Sequence, residues 1–540
     1  MTTKDLNAVE LEIVRNRLTS VSEEVGTALI RTAYSPNIKD RRDCSAGIYA
    51  PDGQLISQAE HIPLHLGLMP TLIAAAIKQF GSEKLEPGDV LMTNNPYLGG
   101  AHLPDVCIIS PVFAGDEQIA LVATMAHHVD VGGMTPGSMA THSTEIFQEG
   151  IRLPPVRLFQ RGELQRELLD VVVTNLRTAD KTRGDLMAQV AANRLGERRL
   201  LELVEEWGTD GFERSCRALV EYGERRTRAA ISALPDGTGE FTDILEHDGI
   251  GPAELRISAT VTVSGDEVTI DLRDTSDQAR GAVNCSFAVA QAAAAYVVKM
   301  LADPTLPSNA GLTAPITLLT RPGSLVHAEF PAPVAHGNTQ TSQRLVDALL
   351  GAFEEFTEEL VPAASSGSMS ILTVGGVDPA TGRYYSYVET YGGGQGAHPD
   401  QDGANAVHTH MTNTRNTPCE VIEREYPLRV EAYRIARGTG GQGRYRGGDG
   451  IERHITVSRG TASVVVGTSR ATTQPWGLHG GEAGTSAQVN VCRGGEDLAQ
   501  PAMTAFDLSA GEGVSIRTAG GGGYGSCQNT DESETRKAAR

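Results

Sequence analysis

Apolar residues at Leu6, Val9, Ile13, Val14, Leu18, Val21, Val25 and Leu29 recur at helical spacing with charges on the other face. This pattern predicts a long amphipathic helix over residues 6–33. Tyr34-Ser35-Pro36-Asn37 ends it, because a proline pushes the residue before it out of helical geometry. Two short alternating runs around a Pro51-Asp52-Gly53 turn predict a β-hairpin. Asp43 falls on its first strand, and Glu60, His61 and His65 lie just beyond its second, where a strand end commonly leads into a site. A short helix at 69–80 and a strand at 90–93 follow.

Residues 131–158 are rich in Gly, Thr, Ser and Pro and too long for a simple connector, which predicts a lid or substrate loop. From about 163 to 234 the periodicity is helical with charged faces, predicting a layer of two or three helices. At Asp236 the period changes to two, and ELRISATVTVSGDEVTIDLRDT reads as a hairpin. An Ala-rich buried helix is predicted at 284–301 and another helix at 343–356, just after His336-Gly337-Asn338. Residues 390–427 read as a second long ordered loop, and the remainder alternates short β runs with glycine turns. These patterns predict an α+β fold: a large multi-layer body with a mixed α/β N-terminal part, a helical layer and a β-rich C-terminal part. Boundaries are expected near 235 and 425, giving regions 1–235, 236–425 and 426–530, with a disordered tail at 531–540.

One stretch concentrates chemistry. Residues 94–130 read NNPYLGGAHLPDVCIISPVFAGDEQIALVATMAHHVD, and six of the fourteen histidines fall between His61 and His142. His102 and Asp105 stand three apart in a Gly- and Pro-containing turn, so both side chains can converge on one point. An apolar hairpin would bring His127 to them, with His128 and Asp130 close behind. Any single histidine is more often a cap or a satisfied core group; the combination points to a mixed N/O metal site suited to Zn, Mn or Fe. A divalent ion there could lower the pKa of a bound water to about 7.

Composition narrows the field. A net charge of −21 argues against nucleic acid as a partner, because phosphate recognition needs concentrated Lys and Arg. Seven cysteines without a CxxC pair favour a reducing cytoplasm, and Cys44 and Cys107 are expected to pack rather than attack. The N-terminus does not read as a secretion signal, and no run is long and apolar enough to span a membrane. GxSxG, GxxxxGK[ST] and HExxH motifs do not occur, and the glycine clusters at 392–396 and 520–525 read as turns.

Several segments together resemble the hydantoinase B/oxoprolinase family: SPNIKDRRDCSAGIYAPDGQL, AEHIPLHLG, GDVLMTNNPYLGGAHLPDV, ATMAHHVDVGG, HGNTQTSQR, the whole of 390–427 and the closing GGGGYG. The resemblance implies a B-type subunit of an ATP-dependent cyclic amide hydrolase. A separate A-type subunit would use ATP to phosphorylate the carbonyl oxygen of a hydantoin, 5-oxoproline or lactam. It implies metal ligation by Asp43, His102, Asp105 and His127, with Asp40 the nearby alternative to Asp43. Glu60, His61, His65, His128 and Asp130 become candidates for supporting the ligands or moving protons. Phosphorylation removes amide resonance, so that attack by water at the carbon can lead to ring opening and, with a second water, to loss of phosphate. The same ligands would also serve a ketone carboxylase subunit, and a non-catalytic scaffold for the A-type subunit is a third possibility.

Overall fold

The computed structural model describes residues 6–59, 61–81, 85–357 and 359–527. Helix α1 (Ala8–Thr32) begins at a capping box in which Asn7 accepts the Val9 and Glu10 amides and Glu10 accepts the Asn7 amide. A short α2 (Pro36–Lys39) leads to the hairpin β1 (Cys44–Tyr49) and β2 (Leu55–Gln58), then α3 (His65–Phe80). Strands β3 (Val90–Thr93), β4 (Asp105–Ala114), β5 (Glu117–His127), β6 (Val156–Gln160) and β7 (Glu163–Leu164) complete an antiparallel sheet ordered β2-β1-β5-β4-β3-β6-β7.

Helices cover both faces of this sheet. Val14, Leu18, Val21 and Val25 of α1 pack with Ala188 and Ala192 against Ala46, Ile48 and Val122. Met69, Leu72 and Ile73 of α3 pack against Cys107, Ile109, Leu121 and Ala123 on the other side. Double coverage explains why β4 and β5 are apolar almost throughout instead of alternating. Cys44 and Cys107 are buried in these layers, where burial pushes their thiols up, as packing residues require.

The helical layer is α4 (Arg166–Thr174), α5 (Ala179–Trp207) and α6 (Thr209–Ile231). A second sheet runs β11-β10-β9-β8, from β8 (Gly237–His247), β9 (Pro252–Ser264), β10 (Glu267–Asp271) and β11 (Ile316–Leu319). The Ala-rich α7 (Phe287–Ala302) crosses α3 where a Cβ on Gly67 would come within 2.5 Å of the Ala292 backbone. Helices α8 (Ala310–Thr313) and α9 (Ser342–Glu354) follow; Leu345, Leu349 and Phe353 of α9 join Val261 and Ile270 of the second sheet in one core.

The C-terminal part holds two more sheets. One is ordered β13-β12-β16-β19, from β12 (Ile371–Val377), β13 (Tyr384–Thr390), β16 (Thr461–Gly467) and β19 (Met503–Ser509). After α10 (Cys419–Glu425), the other is ordered β14-β15-β20-β17-β18, from β14 (Leu428–Ala436), β15 (Gly450–Val457), β17 (Gln488–Arg493), β18 (Glu496–Gln500) and β20 (Gly513–Arg517).

Two segments pack in ways that the sequence pattern does not show. Residues 131–158, expected as a lid or substrate loop, are packed into the body: Met139, Ala140, Ile146 and Leu153 are buried, and Pro136 and Gly137 wedge against β12 and β13. The glycine clusters are not simple turns. Gly394, Gly448 and Gly521 lie in segments laid side by side and joined by backbone hydrogen bonds, such as Gly448 N–H to Gln395 C=O at 2.8 Å. A Cβ on Gly394 would stand 1.9 Å from the Gly448 carbonyl oxygen, so close approach, not a turn, requires glycine. The expected tail at 531–540 lies outside the described residues.

Candidate metal centre

Strand order builds the site. β1, β5 and β4 are neighbours, and their register pairs Cys44 with Ala126 and Asp105 with His127. The His127 amide donates to the Asp43 carbonyl at 3.0 Å, so Asp43, His127 and Asp105 stand in a row at one end of three adjacent strands. Asp43 precedes β1 rather than lying on it. His102 reaches the row from the turn before β4, where the Asp105 amide donates to its carbonyl at 3.2 Å.

Three ligand-type side chains converge there. His102 Nε2 lies 3.1 Å from His127 Nδ1 and 3.2 Å from Asp105 Oδ2, and His127 Nδ1 lies 3.2 Å from Asp105 Oδ1. All three residues are buried, and their ligand atoms fall within 4.8 Å of one another. His102 Nδ1 donates to the Ala335 carbonyl at 3.1 Å, which leaves Nε2 of a neutral ring with a lone pair facing the cluster. Burial pushes the Asp105 carboxyl up, but the positive charge that the facing imidazoles carry when protonated outweighs that and holds it well below the usual carboxylate range, a charge that a bound cation would supply in their place. Two imidazole nitrogens and a carboxylate at this spacing offer a divalent cation three ligand atoms. Donors at 2.0–2.2 Å from one ion sit about 3 Å apart, which fits these separations. Asp105 Oδ2 and Asn338 Oδ1 are buried with no hydrogen-bond partner among the described residues, as unused ligand atoms would be.

The cluster floors a cavity of about 30 Å³, also lined by Arg41, Asp43, His65, Thr390 and Met411. Asp43 lines the cavity, and its Oδ2 lies 3.6 Å from Arg41 Nη2. Asp40 caps the C-terminus of α2.

The other sequence candidates are distributed around the cluster. His65 faces the same cavity with Nδ1 held 2.8 Å from Ser45 Oγ. His61 lines a separate cavity of about 330 Å³ with Ile62, Tyr296 and Met300. Strand alternation turns His128 away from His127, and its Nε2 meets Gln189 Oε1 of α5 at 3.0 Å. Asp130 accepts the Gly132, Gly137 and Arg177 amides and the Arg177 guanidinium at 3.0–3.1 Å, so it locks the following loop. Glu60 lies outside the described residues.

Sequence reasoning missed three contributors. Asn338 Nδ2 approaches His102 Nε2 at 3.2 Å. Arg41, within the quoted RRDCS segment, lines the cavity. Glu149, fully buried, accepts the Val334 and Ala335 amides at 3.0 Å and the Ser143 hydroxyl at 2.7 Å. Burial raises its carboxyl to about 7 against the lowering effect of those donors. Glu149 thereby holds the residue whose carbonyl orients His102. Glu149→Gln, which turns one accepting oxygen into a donor, is expected to weaken metal binding about 10- to 100-fold in a chelator competition titration. Unchanged affinity would show that the 334–335 backbone holds its place without the carboxylate.

Known proteins resemble this chain over nearly its whole length. The family described as Hydantoinase B/oxoprolinase matches residues 7–527. An uncharacterised protein of Methanocaldococcus jannaschii is 36% identical over 97% of this chain and 92% of its own. The 5-oxoprolinase 1 of Arabidopsis thaliana is 33% identical over 96% of this chain, which spans only 42% of that protein. The crystal structure of an ATP-dependent caprolactamase from Pseudomonas jessenii superimposes with a TM-score of 0.90 at 26% identity, covering 99% of this chain and 94% of that one.

Proposed function

Because the chain belongs to the hydantoinase B/oxoprolinase family, we propose that it is the hydrolytic subunit of an ATP-dependent cyclic amide hydrolase. One observation carries the reading: His102 Nε2, His127 Nδ1 and the Asp105 carboxylate converge on one buried point. Asp43 completes the proposed ligand set from the same cavity. A divalent ion bound there supplies Lewis acidity and acidifies water. The chain's residues do the rest: Ala335 and Glu149 fix the His102 tautomer, and Asp43 and His65 line the space beside it. His65 faces that space and is the candidate to pass a proton to the departing ring nitrogen.

The substrate is a lactam, hydantoin or 5-oxoproline whose carbonyl oxygen has been phosphorylated by an A-type ATPase partner. Addition of water and cleavage of the C–N bond open the ring, and a second water releases phosphate from the resulting acyl phosphate. The partner is supported by length: the oxoprolinase relative carries more than half its chain beyond the matched part. It is also supported by the sequence, in which the GxxxxGK[ST] phosphate loop does not occur. Among the described residues, no helix is long and apolar enough to cross a membrane.

Phosphate release by the chain and its partner, measured on each cyclic amide with and without bicarbonate, tests the reading. Bicarbonate-independent ring opening is expected; strict dependence on bicarbonate with a ketone substrate would replace the hydrolase by a carboxylase. Turnover by this chain without the partner would contradict the division of labour.

A further inference from the structure

The cavity wall carries a buried cation that ligand holding does not use. Arg41 is 1% exposed. Its Nη1 donates to the Val388 carbonyl at 2.9 Å and its Nη2 to the Thr390 hydroxyl at 3.0 Å, both neutral partners. Its Nε is buried with no hydrogen-bond partner among the described residues. The Asp43 carboxylate stands 3.6 Å from Nη2, a distance too long for a hydrogen bond. A guanidinium out of water costs several kcal/mol unless an anion meets it. If Asp43 binds a metal, its charge is committed elsewhere and Arg41 is left uncompensated. Hydroxyls surround it: Thr390 Oγ1 and Thr414 Oγ1 are 2.9 Å apart, and Thr339, Thr412 and Asn338 line the same cavity.

We propose that Arg41, with the threonine wall at 390 and 414, forms an oxyanion cradle that takes the phosphoryl group of the activated substrate beside the metal point. The planar fork of arginine suits a tetrahedral oxyanion, and threonine hydroxyls can donate to its remaining oxygens. The inference rests on the reading of Asp43 as a ligand and gives the site its substrate class: an anion, not a neutral lactam. Arg41 is thus a substrate-positioning residue.

Inorganic phosphate is the probe. Its affinity for the metal-loaded chain is measured by calorimetry for the parent, Arg41→Gln and Arg41→Lys, with bound metal and thermal stability recorded for each. Arg41→Gln is expected to keep its metal and bind phosphate about 10- to 100-fold more weakly, with partial recovery in Arg41→Lys. Equal phosphate affinity in parent and Arg41→Gln overturns the proposal, as does a parent that binds none at millimolar phosphate. Should Arg41→Gln not fold, Arg41→Lys decides: it lacks the planar fork, and affinity equal to the parent's overturns the cradle. Failure of the hydrolase reading shows separately, as missing metal or bicarbonate dependence, and does not alter the phosphate result.

Discussion

His102→Ala is expected to empty the metal centre and lower ring-opening turnover by roughly a thousandfold or more, the scale on which an enzyme loses its principal electrostatic stabilisation. His102 meets both other members of the cluster and is itself oriented by the Ala335 carbonyl, so no neighbour replaces its Nε2. The substitution also leaves the Ala335 carbonyl without its donor, a cost of about 1–3 kcal/mol when buried. Thermal unfolding of the variant separates that local cost from collapse. Elemental analysis after dialysis and steady-state turnover with the ATPase partner check the prediction. A variant that retains stoichiometric metal and full activity would leave the scaffold reading standing.

The core of the site was legible because it depends on short-range facts. His102 and Asp105 are three apart at a turn, and an apolar hairpin returns His127 to the same end of the sheet. Local spacing could not rank His127 over His128, since that choice is made by which face α5 covers: Gln189 takes the His128 ring there. Glu149 gave no local signal, because its partners Val334 and Ala335 lie 185 and 186 residues away. Arg41 gave no local signal, because its partners Val388 and Thr390 lie 347 and 349 residues away on β13. Glycine content showed that 390–427 and 520–525 were unusual. Only the pairing of Gly394, Gly448 and Gly521 shows why: three backbones approach where a Cβ would collide.

Arg470→Ala is expected to destabilise the fold by about 3–5 kcal/mol, because it removes one partner from a buried ionic network. Arg470, 1% exposed, donates to Asp243 of β8 at 2.8 Å and to Asp347 of α9 at 2.7 Å. Arg344 of α9 donates to Asp243 at 2.9 Å and Glu246 at 2.8 Å. Two guanidinium groups therefore face three carboxylates. Burial already pushes the Asp347 carboxyl up to about 6 despite the lowering effect of Arg470. Without Arg470, Asp347 must bind a proton at neutral pH or remain an uncompensated buried charge, and either outcome disfavours folding. Denaturant unfolding of Arg470→Ala, Asp347→Ala and the double variant measures the coupling, with the double variant expected to cost less than the sum. A single-variant loss below about 1 kcal/mol would mean that water reaches the network and screens it. The consequence reaches the metal centre, since α9 continues directly from the turn that holds Asn338 against His102. Loosening α9 should therefore release metal at a temperature below global unfolding in Arg470→Ala, and at the unfolding transition in the parent.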